Sequence, residues 1–167
     1  PESRSGLRIY YPDMSLIVTY DKKCGDSMTT DYYGKFLICI FSSYVNVVTS
    51  SLSMGLVIND ESLGLNSFNP TSVQTSPFYP NALFIQDNYQ TIYIVKVKLT
   101  DLYGSFELLS KYTPPSNVDF TIAKDKVILA RGNCLEDFSI RDIRQPQRIN
   151  SNRATLNWNV PSGSIIS

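Results

Sequence analysis

Residues 91–99 read Thr-Ile-Tyr-Ile-Val-Lys-Val-Lys-Leu, and this stretch decides the fold class. Successive side chains of a strand point to opposite faces, so Tyr93, Val95, Val97 and Leu99 face inward while Lys96 and Lys98 face water. Working outward, the same signature recurs as short β-branched and aromatic runs bounded by Gly, Pro, Asn, Asp and Ser. Strands are expected at 7–11, 15–20, 35–41, 44–49, 53–58 and 83–86 before this stretch, and at 118–122, 126–130 and 154–160 after it. The pair 118–122 and 126–130 encloses a short polar turn and reads as a hairpin. Ten strands in 167 residues predict an all-β fold, an antiparallel β-sandwich of jelly-roll or Greek-key kind, with residues 1–167 as a single domain.

Two strands carry further expectations. In 36–41 the apolar run Phe-Leu-Ile-Cys-Ile-Phe is continuous, which predicts a strand buried on both faces with Cys39 as a small apolar filler. In 154–160 the only Trp, Trp158, alternates with polar residues and falls on an inward face. Helix signals are few, one or two at most. Asp101 is placed to cap a short helix burying Leu102, Phe106 and Leu109, although Gly104 weakens it. Asn133 and Glu136 form a weak capping pair before Phe138. Segment 59–81, with Pro70, Pro77 and Pro80 and little periodicity, reads as one long loop or an ordered crossover between sheets.

Composition narrows the function. Lys plus Arg equals Asp plus Glu at 15 each, so the excess basic charge that phosphate-backbone binding requires is missing and nucleic acid is not the expected partner. Arg131, Arg141, Arg144, Arg148 and Arg153 gather late in the chain, but Glu136, Asp137 and Asp142 lie among them, which reads as a solvated, ion-paired surface. The uncharged run 36–59 is interrupted by Ser42, Ser43, Asn46, Thr49, Ser50, Ser51 and Ser53, and no membrane span is expected from it. Residues 1–6, Pro-Glu-Ser-Arg-Ser-Gly, have neither an initiator Met nor a signal peptide's apolar run, and read as a processed or trimmed product. No Asn-x-Ser/Thr acceptor occurs, which points to a virion or another non-glycosylated compartment.

Histidine is absent, which removes the commonest general base, the Ser-His-Asp and Cys-His arrangements and every His-containing metal site. Cys24 lies beside Lys22 and Lys23, which favour a thiolate, but no partner base is identifiable. Cys24 and Cys134 both sit in turn-like sequence, and three cysteines cannot all pair. Asp60 and Glu61 are adjacent, and neighbours on a strand face opposite ways, so a solvated turn explains them better than an acid-pair hydrolase site. Asp21 and Asp26 bracket two lysines and lack the ligand alternation of a calcium loop. No cofactor, metal site or catalytic residue is therefore expected.

Surface recognition remains, and tyrosine suits it because the ring offers a large rigid face and a polar tip. Eleven tyrosines are present, several beside turns. The expected contact residues are Tyr32 and Tyr33 before Gly34, and Phe68, Phe78 and Tyr79 in segment 59–81, whose only charges, Asp60 and Glu61, stand at its beginning, so that the remainder can be desolvated without stranding a charge. The expected function is a non-enzymatic recognition or assembly domain of the kind found in viral coat and attachment proteins, working by protein binding or self-association. A carbohydrate-binding module using exposed tyrosines is the alternative, with a glycan as its partner.

Overall fold

A computed structural model describes residues 7–10, 12–20, 25, 27–52, 55–100, 102–114, 119–123, 126–131, 134–139 and 153–155, with the backbone alone described at 7–10, 16–20, 131, 134–139 and 153–155. Cys24, Lys22, Lys23, Asp21, Asp26, Asn133, Trp158, Arg141, Asp142, Arg144 and Arg148 lie outside the described residues, as does the greater part of the expected strand 154–160. The chain is all-β and antiparallel, with one short helix among the described residues, as its sequence pattern predicts.

A hairpin of β1 (Leu7–Tyr10) and β2 (Leu16–Tyr20) comes first. Sheet I follows, made of β3 (Ser27–Thr30), β4 (Phe36–Ile40), β5 (Tyr44–Thr49) and β6 (Gly55–Asn59). The helix α1 (Asp60–Leu63) leads to sheet II, made of β7 (Pro70–Thr75), β8 (Ala82–Asp87), β9 (Ile92–Leu99) and β10 (Gly104–Tyr112). Sheet III contains β11 (Asp119–Ala123), β12 (Lys126–Arg131), β13 (Cys134–Ser139) and β14 (Arg153–Thr155). Each sheet is a meander in chain order. No crossover of Greek-key or jelly-roll kind is found within a sheet among the described strands.

The sheets stack face to face. Phe36, Ile38, Val45 and Val47 of sheet I pack against Leu83, Ile85, Val95 and Val97 of sheet II. On its opposite face sheet II presents Phe84, Ile92 and Ile94 to Phe120, Val127 and Leu129 of sheet III. Sheet II is thereby covered on both sides, which is why β8 is buried at every position. The first strand of sheet II, β7, touches the first strands β3 and β11 of its neighbours, while the last strands β6 and β10 touch each other.

Segment 59–81 is not a loop. Asn59 caps α1 through a reciprocal pair, its side chain accepting from the Ser62 N–H while its own N–H donates to Ser62 Oγ, each at 2.9 Å. Asp60 and Glu61 occupy the first turn, where the exposed N–H groups favour negative charge, rather than a catalytic cleft. Strand β7 then begins at Pro70, whose missing N–H is tolerated because β7 lies at the sheet's edge. The other expected helices are strands as well. Leu102 is 91% exposed on a turn, Phe106 and Leu109 belong to β10, and Glu136 and Phe138 belong to β13, while Asp101 and Asn133 lie outside the described residues. Cys39 is buried as expected, but it is disulfide-bonded rather than a free apolar filler.

Candidate functional site

In an antiparallel meander the first-to-second and third-to-fourth turns leave from the same end. In sheets I and II these turns carry the aromatic residues singled out by the sequence. The turn after β3 is built on Asp31, which is 7% exposed. Its carboxylate accepts from the Phe36 N–H at 2.6 Å and the Tyr33 N–H at 3.2 Å, so it is consumed in local bonds. Gly34, at φ 68°, takes the left-handed step that closes the turn. With the turn held from beneath, Tyr32 and Tyr33 stand 64% and 54% exposed, their rings edge to face at 5.3 Å and 83°.

The turn after β7 comes to meet this one. Tyr33 Oη donates to the Pro77 carbonyl at 3.2 Å, joining two turns 44 residues apart in sequence. Within the second turn, Ser76 is buried and its Oγ accepts from the Phe78 N–H at 3.2 Å, leaving the Phe78 ring 56% exposed. Tyr32, Tyr33 and Phe78 therefore belong to one surface. Phe68 and Tyr79 do not join them as surface anchors. Phe68 is 4% exposed in the core, edge-on to Tyr93 at 5.4 Å, and half-buried Tyr79 packs against Phe84 at 6.1 Å. Both fasten the segment to its own domain.

A third turn, outside the residues expected from the sequence, belongs to this surface. Between β9 and β10, Thr100 Oγ1 accepts from the Tyr103 N–H at 3.1 Å, and the Thr100 N–H donates to the Tyr103 carbonyl at 2.8 Å. This holds Leu102 and Tyr103 outward, 91% and 56% exposed. Between the turns a cleft of about 430 Å³ opens at the seam of sheets I and II. Phe36, Val97 and Leu99 form its apolar floor, and Lys35 and Asn81 are among its polar walls. Lys35 Nζ also lies 5.8 Å from the centre of the Tyr33 ring, linking cleft and aromatic surface. Five of the nine large apolar side chains exposed among the described residues, Tyr32, Tyr33, Phe78, Leu102 and Tyr103, sit on these turns.

No family model matches the chain. No curated protein matches either. Among solved structures, it is similar to Hsv2 of Kluyvelomyces marxianus at a TM-score of 0.47 and 10% sequence identity, over 77% of this chain and 38% of that one. The chain thus spans well under half the length of that structure.

Among the described residues no helix is long and apolar enough to cross a membrane.

Proposed function

We infer that this chain is a non-enzymatic recognition domain whose working surface is the turn end of sheets I and II, and that its partner is a protein. The observation that carries this reading is the concentration of exposed aromatic and aliphatic side chains there, on turns anchored by Asp31, Ser76 and Thr100. Exposed apolar groups scattered singly need no explanation, whereas a cluster on rigid supports provides anchoring area at small entropic cost. The same surface supports a glycan less well. A sugar ring stacks on a flat aromatic platform, and the Tyr32 and Tyr33 rings stand at 83° to each other.

The test is selection of binders from a displayed random peptide library against the immobilised protein, followed by affinity measurement on the Tyr32→Ser/Phe78→Ser variant. Loss of binding in a variant that melts like the wild type supports the reading. Unchanged binding refutes it. Self-association, the other form of surface work expected from the sequence, is separated by sedimentation velocity over a concentration series with both proteins.

A further inference from the structure

We propose that β6 is a strand-addition edge through which two copies of this chain pair, antiparallel, about a two-fold axis at Leu56. This goes beyond the reading of the turn end, which does not involve β6. Strand edges carry unpaired N–H and C=O groups, and proteins blunt them with charge, proline, bulges or short length. The edges of the three four-stranded sheets follow this rule at every place but one. Strand β7 begins at Pro70 and its register slips between Pro70 and Ser72, while β10 slips between Leu108 and Ser110 and carries Glu107 and Lys111. Strand β11 carries Asp119, β14 has three residues, one of them Arg153, and β3 has four, three of them Ser or Thr. Strand β6, Gly-Leu-Val-Ile-Asn, has no charge, no proline and an unbroken register, with Gly55 exposed and Val57 47% exposed.

A residue in an antiparallel strand points both its N–H and its C=O to one side, and the side alternates along the chain. The Tyr44 carbonyl, at the start of β5, accepts from the Phe41 N–H at 2.9 Å, and the Ser50 N–H, one step past its end, donates to the Lys35 carbonyl at 3.0 Å. The even-numbered residues of β5 thus face β4. Val45 and Val47 face β6 and bond Ile58 and Leu56, their partners in register, so Gly55, Val57 and Asn59 point their backbone groups away from the sheet. Asn59 is already closed, because Ser62 Oγ accepts from its N–H and donates to its carbonyl, each at 2.9 Å. Gly55 and Val57 remain, with two donors and two acceptors between them. A second copy offers the same groups, and antiparallel pairing of Gly55 with the other copy's Val57, and the reverse, satisfies all of them. That match selects a second copy as the occupant. Leu56 then faces its own counterpart, no charge meets a like charge, and each Val57 lies across from a glycine that leaves room for it. The contact is one short strand pair, well below the area of a standard interface, so the dimer is expected to be weak.

The experiment is sedimentation velocity over a concentration series, joined to amide hydrogen exchange in β6. The wild type should pass from monomer to dimer as concentration rises, and the Gly55 and Val57 amides should gain protection with it, while those of Leu56 and Ile58, already bonded to β5, should not change. Val57→Lys and Val57→Pro should each weaken the dimer at least about tenfold. The Val57 N–H faces away from β5, so proline there leaves the β5–β6 ladder whole, and the melting temperature at low concentration serves as the control for folding. Tyr32→Ser/Phe78→Ser should dimerise like the wild type, which separates this proposal from the turn-end reading. A wild type that stays monomeric up to millimolar concentration overturns the proposal, as does a dimer that survives both Val57 variants or leaves the Gly55 and Val57 amides unprotected. A dimer lost in Tyr32→Ser/Phe78→Ser assigns self-association to the turn end and overturns it as well. Protection of the two amides by the selected peptides, in a protein that remains monomeric, assigns the edge to a partner's strand and likewise overturns pairing between copies.

Discussion

The phenol of Tyr93 donates a 2.9 Å hydrogen bond to the carboxylate of Asp87, and both groups are buried in sheet II, 5% and 1% exposed. Asp87 also accepts from the Tyr89 and Thr91 N–H groups at 2.9 Å each, so one carboxylate organises the whole β8–β9 turn. Removing the phenol leaves part of a buried charge without its donor. Tyr93→Phe should therefore destabilise the fold by about 1–3 kcal/mol in urea titration, more than the loss of an oxygen from a surface ring would. A change below the error of the measurement would show that Asp87 is satisfied by its turn alone.

The same bond sets an alkaline limit. Burial, then the hydrogen bond and charge of Asp87, push the Tyr93 phenol up from its ordinary 10.0 to about 12. The folded state holds this proton more tightly than the unfolded chain does. Its stabilising contribution is complete below pH 10, and is lost as the pH rises from there through the folded-state value of about 12. Wild-type stability should fall over that window more steeply than that of Tyr93→Phe. Parallel curves for the two proteins would remove Tyr93 as the cause.

Ile38 is fully buried between sheets I and II. Ile38→Asp puts an unpaired carboxylate in that seam at a cost on the order of 4 kcal/mol or more, enough to prevent folding of a domain of this size. Circular dichroism and soluble yield report it. Ile38→Val, which removes one methylene from the same place, should fold and lose about 0.5–1.5 kcal/mol.

Cys39 is 1% exposed and disulfide-bonded. Reduction should lower the urea midpoint of the wild type, by a stability difference of about 2–4 kcal/mol, and leave that of Cys39→Ala unmoved. Equal midpoints for oxidised and reduced wild type would show that the bond adds nothing to the folded state.

Gly25 takes φ 56°, and a Cβ built there would run into the Ile40 carbonyl at the end of β4. Gly25→Ala should destabilise through both effects, since backbone cannot move aside as a flexible side chain can. A melting curve like that of the wild type would show that the chain before β3 can shift to make room.

Period-two alternation with dense apolar content was legible wherever a strand packs on both or one clear face. The run Phe36–Ile40 is buried on nearly all sides, and Tyr93, Val95, Val97 and Leu99 face the core together. The elements that escaped lack that signal for identifiable reasons. Strand β3 reads Ser-Met-Thr-Thr and is mostly exposed, and β7 offers Val73 as its one aliphatic residue after Pro70. In β10 the register slips between Leu108 and Ser110, so Phe106 and Leu108 pack on one face while Leu109 and Tyr112 pack on the other. A bulge breaks the two-residue period, and the resulting spacing resembles a helix. Of the site, Tyr32, Tyr33 and Phe78 were legible because aromatic residues beside Gly and Pro mark turns. Lys35 and Leu102 were not, because their nearness depends on how two sheets stack, which no local pattern records, whereas Tyr103 beside Gly104 carries the same turn signal and was overridden by the helix expected after Asp101.

Because the strands of sheets I and II pair with their neighbours in the chain through short connections, contact order within each of these sheets is low for an all-β protein. Folding can then proceed one sheet at a time, with sheet II as the common template. Both apolar faces of sheet II are covered by described sheets, so collapse from the middle of the chain outward is the expected order. Substitutions at the seam of sheets I and II should consequently slow folding, while those in the turns that form the recognition surface should leave the rate unchanged. The surface is thereby free to vary in sequence without altering the kinetics that deliver the folded chain.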